Sequence, residues 1–260
     1  MDKMVTVSMI YDCIDALAPF STALSYDNVG LLVGSKDTQV RRVLISLDIT
    51  PAVVNEAQRT DCQLIVSHHP VIFNPLRKLE PDSAPYLLAQ AGIGALCAHT
   101  NLEMAQQGVN TALAQALGLQ HVQPLVLQEG LPLVLAGRLP GENGSSAAEF
   151  AGLVKKALGC DGVRYVPGAR RIQTVALCSG AGGEFAQQAA ALGADAFVTG
   201  EIKHHELLAA AQAGMTVVDA GHYATERVVL PFLCNYLARR FPEVTFALSQ
   251  RQEDVTRYLV

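Results

Sequence analysis

No apolar run in this chain approaches the roughly 20 residues that span a bilayer; Val228 to Leu233 is typical of the longest. A membrane-spanning helix is therefore not expected. No lysine- or arginine-rich stripe interrupts a chain of net charge −5. Isolated basic pairs such as Arg41-Arg42, Arg170-Arg171 and Arg239-Arg240 read as solvated element ends, so nucleic acid is not expected as the main partner. No CxxC pair occurs among the six cysteines, which are scattered through the chain and read as reduced, buried, small hydrophobes. The first residues, Met-Asp-Lys-Met-Val-Thr, lack a basic region leading into an apolar segment, which predicts a cytoplasmic protein without a secretory signal. What is present is a globular composition: half the residues are hydrophobic and 17% are charged.

Short apolar runs alternate with helix-period segments, the pattern of an α/β protein with a largely parallel sheet. Strands are expected at Val43–Leu47, Leu64–Val66, Ile93–Cys97, Leu131–Ala136, Val175–Cys178, Ala196–Thr199, Val217–Val218 and Val244–Leu248. Helices are expected near Val7–Leu17, from Pro51, at Ala84–Gln90, Gly108–Leu117, Ala147–Leu158, Phe185–Leu192, His205–Ala213, and as one long helix from Ala224 to Arg240. Ser146 is a candidate cap for the helix after the turn-rich LPGENGSS stretch. The glycine loop SGAGGE (179–184) fits neither GxGxxG nor the Walker pattern; it reads either as an anion nest or as a tight strand-to-helix turn.

The two halves are alike. DCQLIVSHHP parallels ADAFVTGEIKHHE, and YLLAQAGIGALCAHTNLE parallels ELLAAAQAGMTVVDAGHYATE, both of the latter ending in His-x-x-x-Glu. This self-similarity predicts an internal duplication: two similar, intertwined α/β units with largely parallel sheets. The units are expected over residues 1–125 and 126–260, with the C-terminal elements able to pack on the first.

The duplication bears on the SHHP stretch at residues 67–70. Adjacent residues on a strand face opposite ways, so His68 and His69 can reach one point only if the strand ends there, as Pro70 implies. His68, His69, His99, Glu103, Glu201, His222 and Glu226 all follow predicted strands at their C-terminal ends, where open parallel sheets bind ligands. Imidazoles and carboxylates suit zinc, manganese or iron. A His-His pair or a His-x-x-x-Glu alone is commonly just a surface pair; the coincidence of several at equivalent strand ends points to metal. His204 and His205 read as helix-surface or outer-sphere residues, and His121 is assigned no role.

Seven motifs in order, YDNVGLLVG, SLDIT, SHHP, AHTNLE, CSGAGGEF, VTGEIKHHE and GHYATE, resemble the YbgI-type, or Nif-three-like, family of dinuclear-metal proteins, whose members carry the name GTP cyclohydrolase 1 type 2 homologue. The resemblance implies two divalent transition-metal ions per chain, held by His68, His69, Glu103, His222 and Glu226, with Glu226 the bridge and His99 and Glu201 behind the ligands. The family usually has aspartate at the position of Glu103. It further implies a toroidal homohexamer and hydrolysis of a nucleotide or related phosphorylated heterocycle, with GTP as the named version, by water activated between two ions. A metallo-phosphoesterase or amidohydrolase, or a ring-shaped scaffold or binding module, remains open as an alternative.

Overall fold

The computed structural model describes residues 4–259, which form two compact units. Unit one comprises the residues up to Ala105 together with Leu230–Glu253; unit two comprises Gln106–Val229 and the segment from Asp254.

In unit one, β1 (Gly30–Val33), β2 (Arg42–Ser46), β3 (Leu64–Ser67), β4 (Gly94–Cys97) and β11 (Thr245–Leu248) form a sheet in the order β1-β4-β3-β2-β11. All neighbours are parallel except β1, which runs antiparallel to β4. Strands β2, β3 and β4 are almost wholly buried and read as continuous apolar runs, as strands covered on both faces must. Helices α1 (Val7–Leu17), α2 (Pro51–Arg59) and α3 (Ala84–Ala91) precede or connect them, and α4 (Thr100–Glu103) is one turn after β4. Thr50 caps α2 by accepting from the Val53 amide, with Pro51 in the first turn, where its missing N–H has no cost. Leu44, Ile65, Val53 and Leu88 meet in the core between this sheet and its helices.

In unit two, β5 (Gln120–Gln128), β6 (Leu131–Arg138), β7 (Arg164–Val166), β8 (Thr174–Leu177), β9 (Ala196–Thr199) and β10 (Thr216–Asp219) run in the order β5-β6-β8-β9-β10-β7. Strands β8, β9 and β10 are the parallel centre, flanked by antiparallel β6 and β7. Its helices are α5 (Val109–Ala116), α6 (Ala147–Leu158), α7 (Ala186–Ala191), α8 (His204–Gln212) and α9 (His222–Glu226). Ser146 caps α6 in a full capping box with Glu149. Phe150, Val154, Leu113, Leu177 and Val218 share one core.

The order β1-β4-β3-β2 in unit one repeats as β7-β10-β9-β8 in unit two, with three parallel strands and an antiparallel fourth beyond the last. This is the duplication seen in the sequence. The first division falls at Ala105–Gln106 and not at residue 125, because β5 pairs with β6 and Leu113 of α5 enters the core of unit two. The C-terminal strand returns to unit one because β11 pairs with β2 and the buried Glu56 carboxylate accepts from Ser249 Oγ and the Gln250 amide.

The expected long helix from Ala224 is broken. Helix α9 ends at Glu226, residues 227–229 form a 3-10 turn, and α10 (Leu230–Arg240) starts afresh. Pro231 explains the break: it tolerates a first turn but cannot donate within a continuing helix. Strands β1 and β7 lie at positions where no apolar run had marked a strand. Among the described residues no helix is long and apolar enough to cross a membrane. The thiols of Cys62, Cys97, Cys160, Cys13 and Cys234 are pushed up, mainly by burial, which keeps them protonated and unreactive.

Candidate metal centre

Register builds the unit-one cluster. Ser46, Ser67 and Cys97 are partners across three adjacent parallel strands. Two residues beyond each, at the carboxyl edge, stand Asp48, His69 and His99. The sheet thus lines up a carboxylate and two imidazoles side by side from residues far apart in sequence. The amides of His68 and His69 still donate to the carbonyls of Ser46 and Leu47 at 3.2 and 2.9 Å, so the chain is held as it leaves β3. The His68 and His69 rings lie 5.0 Å apart, and each is within 5.4 Å of the His99 ring. One ligand nitrogen from each of the three histidines falls within 4.8 Å of the others. Glu103, one turn into α4, brings a carboxylate oxygen to 3.7 Å from His68 Nε2 and 3.8 Å from His99 Nε2.

Each imidazole is held from behind. His68 Nδ1 donates to the Ala98 carbonyl at 2.9 Å, His69 Nδ1 to Asp48 at 2.8 Å, and His99 Nδ1 to Asp27 at 2.9 Å. In unit two His222 Nδ1 donates to Glu201 at 2.8 Å. Four histidines from three separate segments share one arrangement: Nδ1 carries the proton to an oxygen acceptor and Nε2 lies on the opposite side of the ring. That is the preparation seen in metal-ligating histidines, where the acceptor behind the ring sets tautomer and orientation. His121, His204 and His205 are exposed and show no such bond among the described residues.

Asp27 and Asp48 carry out this positioning, and neither stood among the sequence candidates. Both lay inside motifs that had been noted, YDNVG and SLDIT, without a chemical reason to separate them from other surface aspartates. The Asp27 side chain is fully buried. Burial acts to raise its carboxyl, but hydrogen bonds from His99 and Thr100, with the attraction of the His99 ring, outweigh it and hold the group down at about 2.

The unit-two cluster is built differently from the same plan. Ile45 and Val66 are register partners in unit one, as Leu177 and Val198 are in unit two. Counting onward, Asp48, His68 and His69 correspond to Gly180, Gly200 and Glu201. The carboxylate has moved to the middle strand, and it holds a histidine from the third. Gly221 is an extra residue before α9, and it places His222 and Glu226 on one face of a single helical turn. His222 Nε2 lies 3.0 Å from Glu226 Oε2, and Glu226 is 1% exposed.

The two glycines let α9 sit directly on the strand ends. A Cβ on Gly200 would come within 2.7 Å of the His222 backbone, and one on Gly180 would run into the Glu226 carboxylate. Gly180 also has φ +59, a conformation that costs other residues about 1–2 kcal/mol. The SGAGGE loop is therefore a tight turn: it closes into a three-residue 3-10 turn, Gly183–Phe185, not the start of a long helix that could cradle an anion. A Gly180→Ala protein is expected to fold with somewhat reduced stability and to displace the Glu226 carboxylate. Its metal content after reconstitution, read by elemental analysis, should fall below that of the unaltered chain; equal content would show that Glu226 does not depend on this glycine.

Neutral imidazole nitrogens with carboxylate oxygens make a donor set suited to zinc, manganese or iron, so the residues present fit the ions implied by the sequence. Within unit one the structure brings together His68, His69 and Glu103, and it adds His99 on equal geometric terms. Within unit two it brings together His222, Glu226 and Glu201.

The Duf34/NIF3 (NGG1p interacting factor 3) family model matches residues 5–255. A Nostoc sp. protein named GTP cyclohydrolase 1 type 2 homolog is 33% identical over 230 residues, covering 84% of this chain and 85% of its own. The crystal structure of Staphylococcus aureus protein SA1388 superposes with a TM-score of 0.92 at 26% identity, covering all of both chains. The structure of protein ybgI, described as of unknown function, gives 0.84 at 25% identity over 94% of this chain and 98% of that one. The chain belongs to the Duf34/NIF3 family.

Proposed function

We propose that this Duf34/NIF3 member is a metal-dependent hydrolase that acts on a nucleotide or related phosphorylated heterocycle, with GTP as the named candidate. The observation that carries the reading is the common Nδ1 anchoring of His68, His69, His99 and His222. An oxygen behind every ring is a costly coincidence unless the opposite nitrogens have a task in common.

In this reading His68, His69 and Glu103 from unit one and His222 and Glu226 from unit two serve one pair of divalent ions, an assignment that rests on the motif resemblance together with the geometry inside each unit. When bound, such ions supply Lewis acidity and lower the pKa of water at neutral pH. Asp48 and Glu201 keep His69 and His222 in the tautomer that offers Nε2. Glu226 and Glu103 would supply negative charge to hold the ions. His99, kept in place by Asp27, presents Nε2 beside Glu103. The homohexameric ring implied by the resemblance belongs to the same proposal.

The test starts from protein stripped with a chelator and reloaded with zinc, manganese or iron. Elemental analysis should find about two ions per chain, as a two-metal site requires, and the loaded protein should release formate from GTP. Refusal of all three metals would overturn the metal reading. Full loading without formate would remove GTP cyclohydrolysis and leave the scaffold or another hydrolytic reaction.

A further inference from the structure

The YDN stretch at residues 26–28 does more than hold His99. Asp27 binds the His99 ring and the Thr100 amide and hydroxyl. Asn28 next to it donates from Nδ2 to the Ile72 carbonyl at 2.6 Å. One short segment thus ties the loop after SHHP to the histidine cluster. Its remaining member, Tyr26, is 65% exposed, and Phe73, next to the clamped Ile72, is 44% exposed.

Apolar side chains exposed singly are ordinary, but two exposed rings in contact form a continuous apolar surface, the kind that marks a binding site. These two are neighbours, with ring centroids 6.4 Å apart and planes tilted by 56°. Phe73 in turn meets His99 edge-on, at 6.4 Å and 81°. The series Tyr26, Phe73, His99 therefore runs from an open aromatic pair into the cluster of imidazoles, all on unit one. The hydrogen bonds of Asp27 and Asn28 tie the backbone beside both rings to the segment that holds His99.

We propose that Phe73 and Tyr26 are the substrate-positioning wall of the site: they stack the planar, nitrogen-containing ring of the substrate and present it to the histidine cluster. The inference rests on the hydrolase reading and narrows it, because it requires a substrate with a flat ring system such as a purine and not merely a phosphate ester. A flat ring gains by stacking on an aromatic face, whereas a flexible phosphorylated chain gains little from one. Asp27 and Asn28 act through the wall and the cluster as positioning residues.

The experiment uses metal-loaded full-length protein and two probes: GTP, and inorganic tripolyphosphate as the ringless control. Binding is measured by equilibrium dialysis, with metal content and light scattering recorded for every variant. Phe73→Ala and Tyr26→Ala should each weaken GTP binding by about tenfold, the scale of one lost stacking contact, with tripolyphosphate binding and metal content unchanged. Phe73→Trp should restore GTP binding. Several outcomes would overturn the wall: GTP binding to the unaltered protein no tighter than tripolyphosphate, unchanged GTP binding in both alanine variants, or equal losses for both probes. A change of assembly state in Phe73→Ala with GTP binding intact would also overturn it, by assigning the rings to contact with another copy. Failure to load metal would instead count against the hydrolase reading and is recorded separately.

Discussion

Glu226→Ala is expected to lose both metal ions, whereas Glu103→Ala keeps about one with reduced affinity. Glu226 is buried at 1% exposure and approaches His222 Nε2 at 3.0 Å. As the proposed bridge it contributes to both ions, and its removal leaves two cations facing each other with less negative charge between them. Glu103 approaches His68 and His99 at 3.7 and 3.8 Å and is proposed to serve one ion, so its loss should disturb mainly that one. The double variant should be strongly non-additive, as expected for groups in one network. Glu103→Asp restores the side chain usual in the family and should retain both ions, because a carboxylate shortened by one methylene keeps the same charge on the same helical turn. Native mass spectrometry reads the stoichiometry directly. Equal single-ion loss in Glu226→Ala and Glu103→Ala would show that Glu226 is not shared.

The second large effect is on stability. Phe150→Ala should destabilise unit two by about 3–5 kcal/mol, the range for emptying a filled aromatic site in a core. Phe150 is fully buried on α6 and shares a cluster with Leu113, Val154, Leu177 and Val218, so the cavity would open between helices and sheet where neither can close it. Leu153, on the same helix, is 37% exposed; Leu153→Ala should cost less, about 1 kcal/mol, because part of that side chain stays in water and its removal leaves no closed cavity. Calorimetry or urea titration distinguishes the two. Similar losses in both variants would mean that the unit-two core is not organised around Phe150.

The class of fold and a set of candidate metal-binding residues were legible in the sequence alone. Buried parallel strands read as continuous apolar runs, and beyond their C-terminal ends stand His68, His69, His99 and Glu103 in unit one and His222 and Glu226 in unit two. The repeat of His-x-x-x-Glu after similar strands carried the duplication as well, and the topology bears it out over four strands of each sheet. These features are local: each depends on residues within a few positions of one another, where periodicity and spacing are informative.

What the sequence did not determine depends on pairing between distant segments. Asp48 stands beside His69 because β2 and β3 are parallel with Ser46 opposite Ser67, and a shift of one residue would turn the carboxylate to the other face. Asp27 reaches His99 across 72 residues of chain. Gly180 and Gly200 look like ordinary turn glycines until α9 is seen resting where their side chains would be. The tautomer of each histidine follows from the oxygen behind it, and that oxygen comes from another strand or loop in every case. Strand register and close packing between segments, which no short-range pattern encodes, turned a set of plausible ligands into oriented ones.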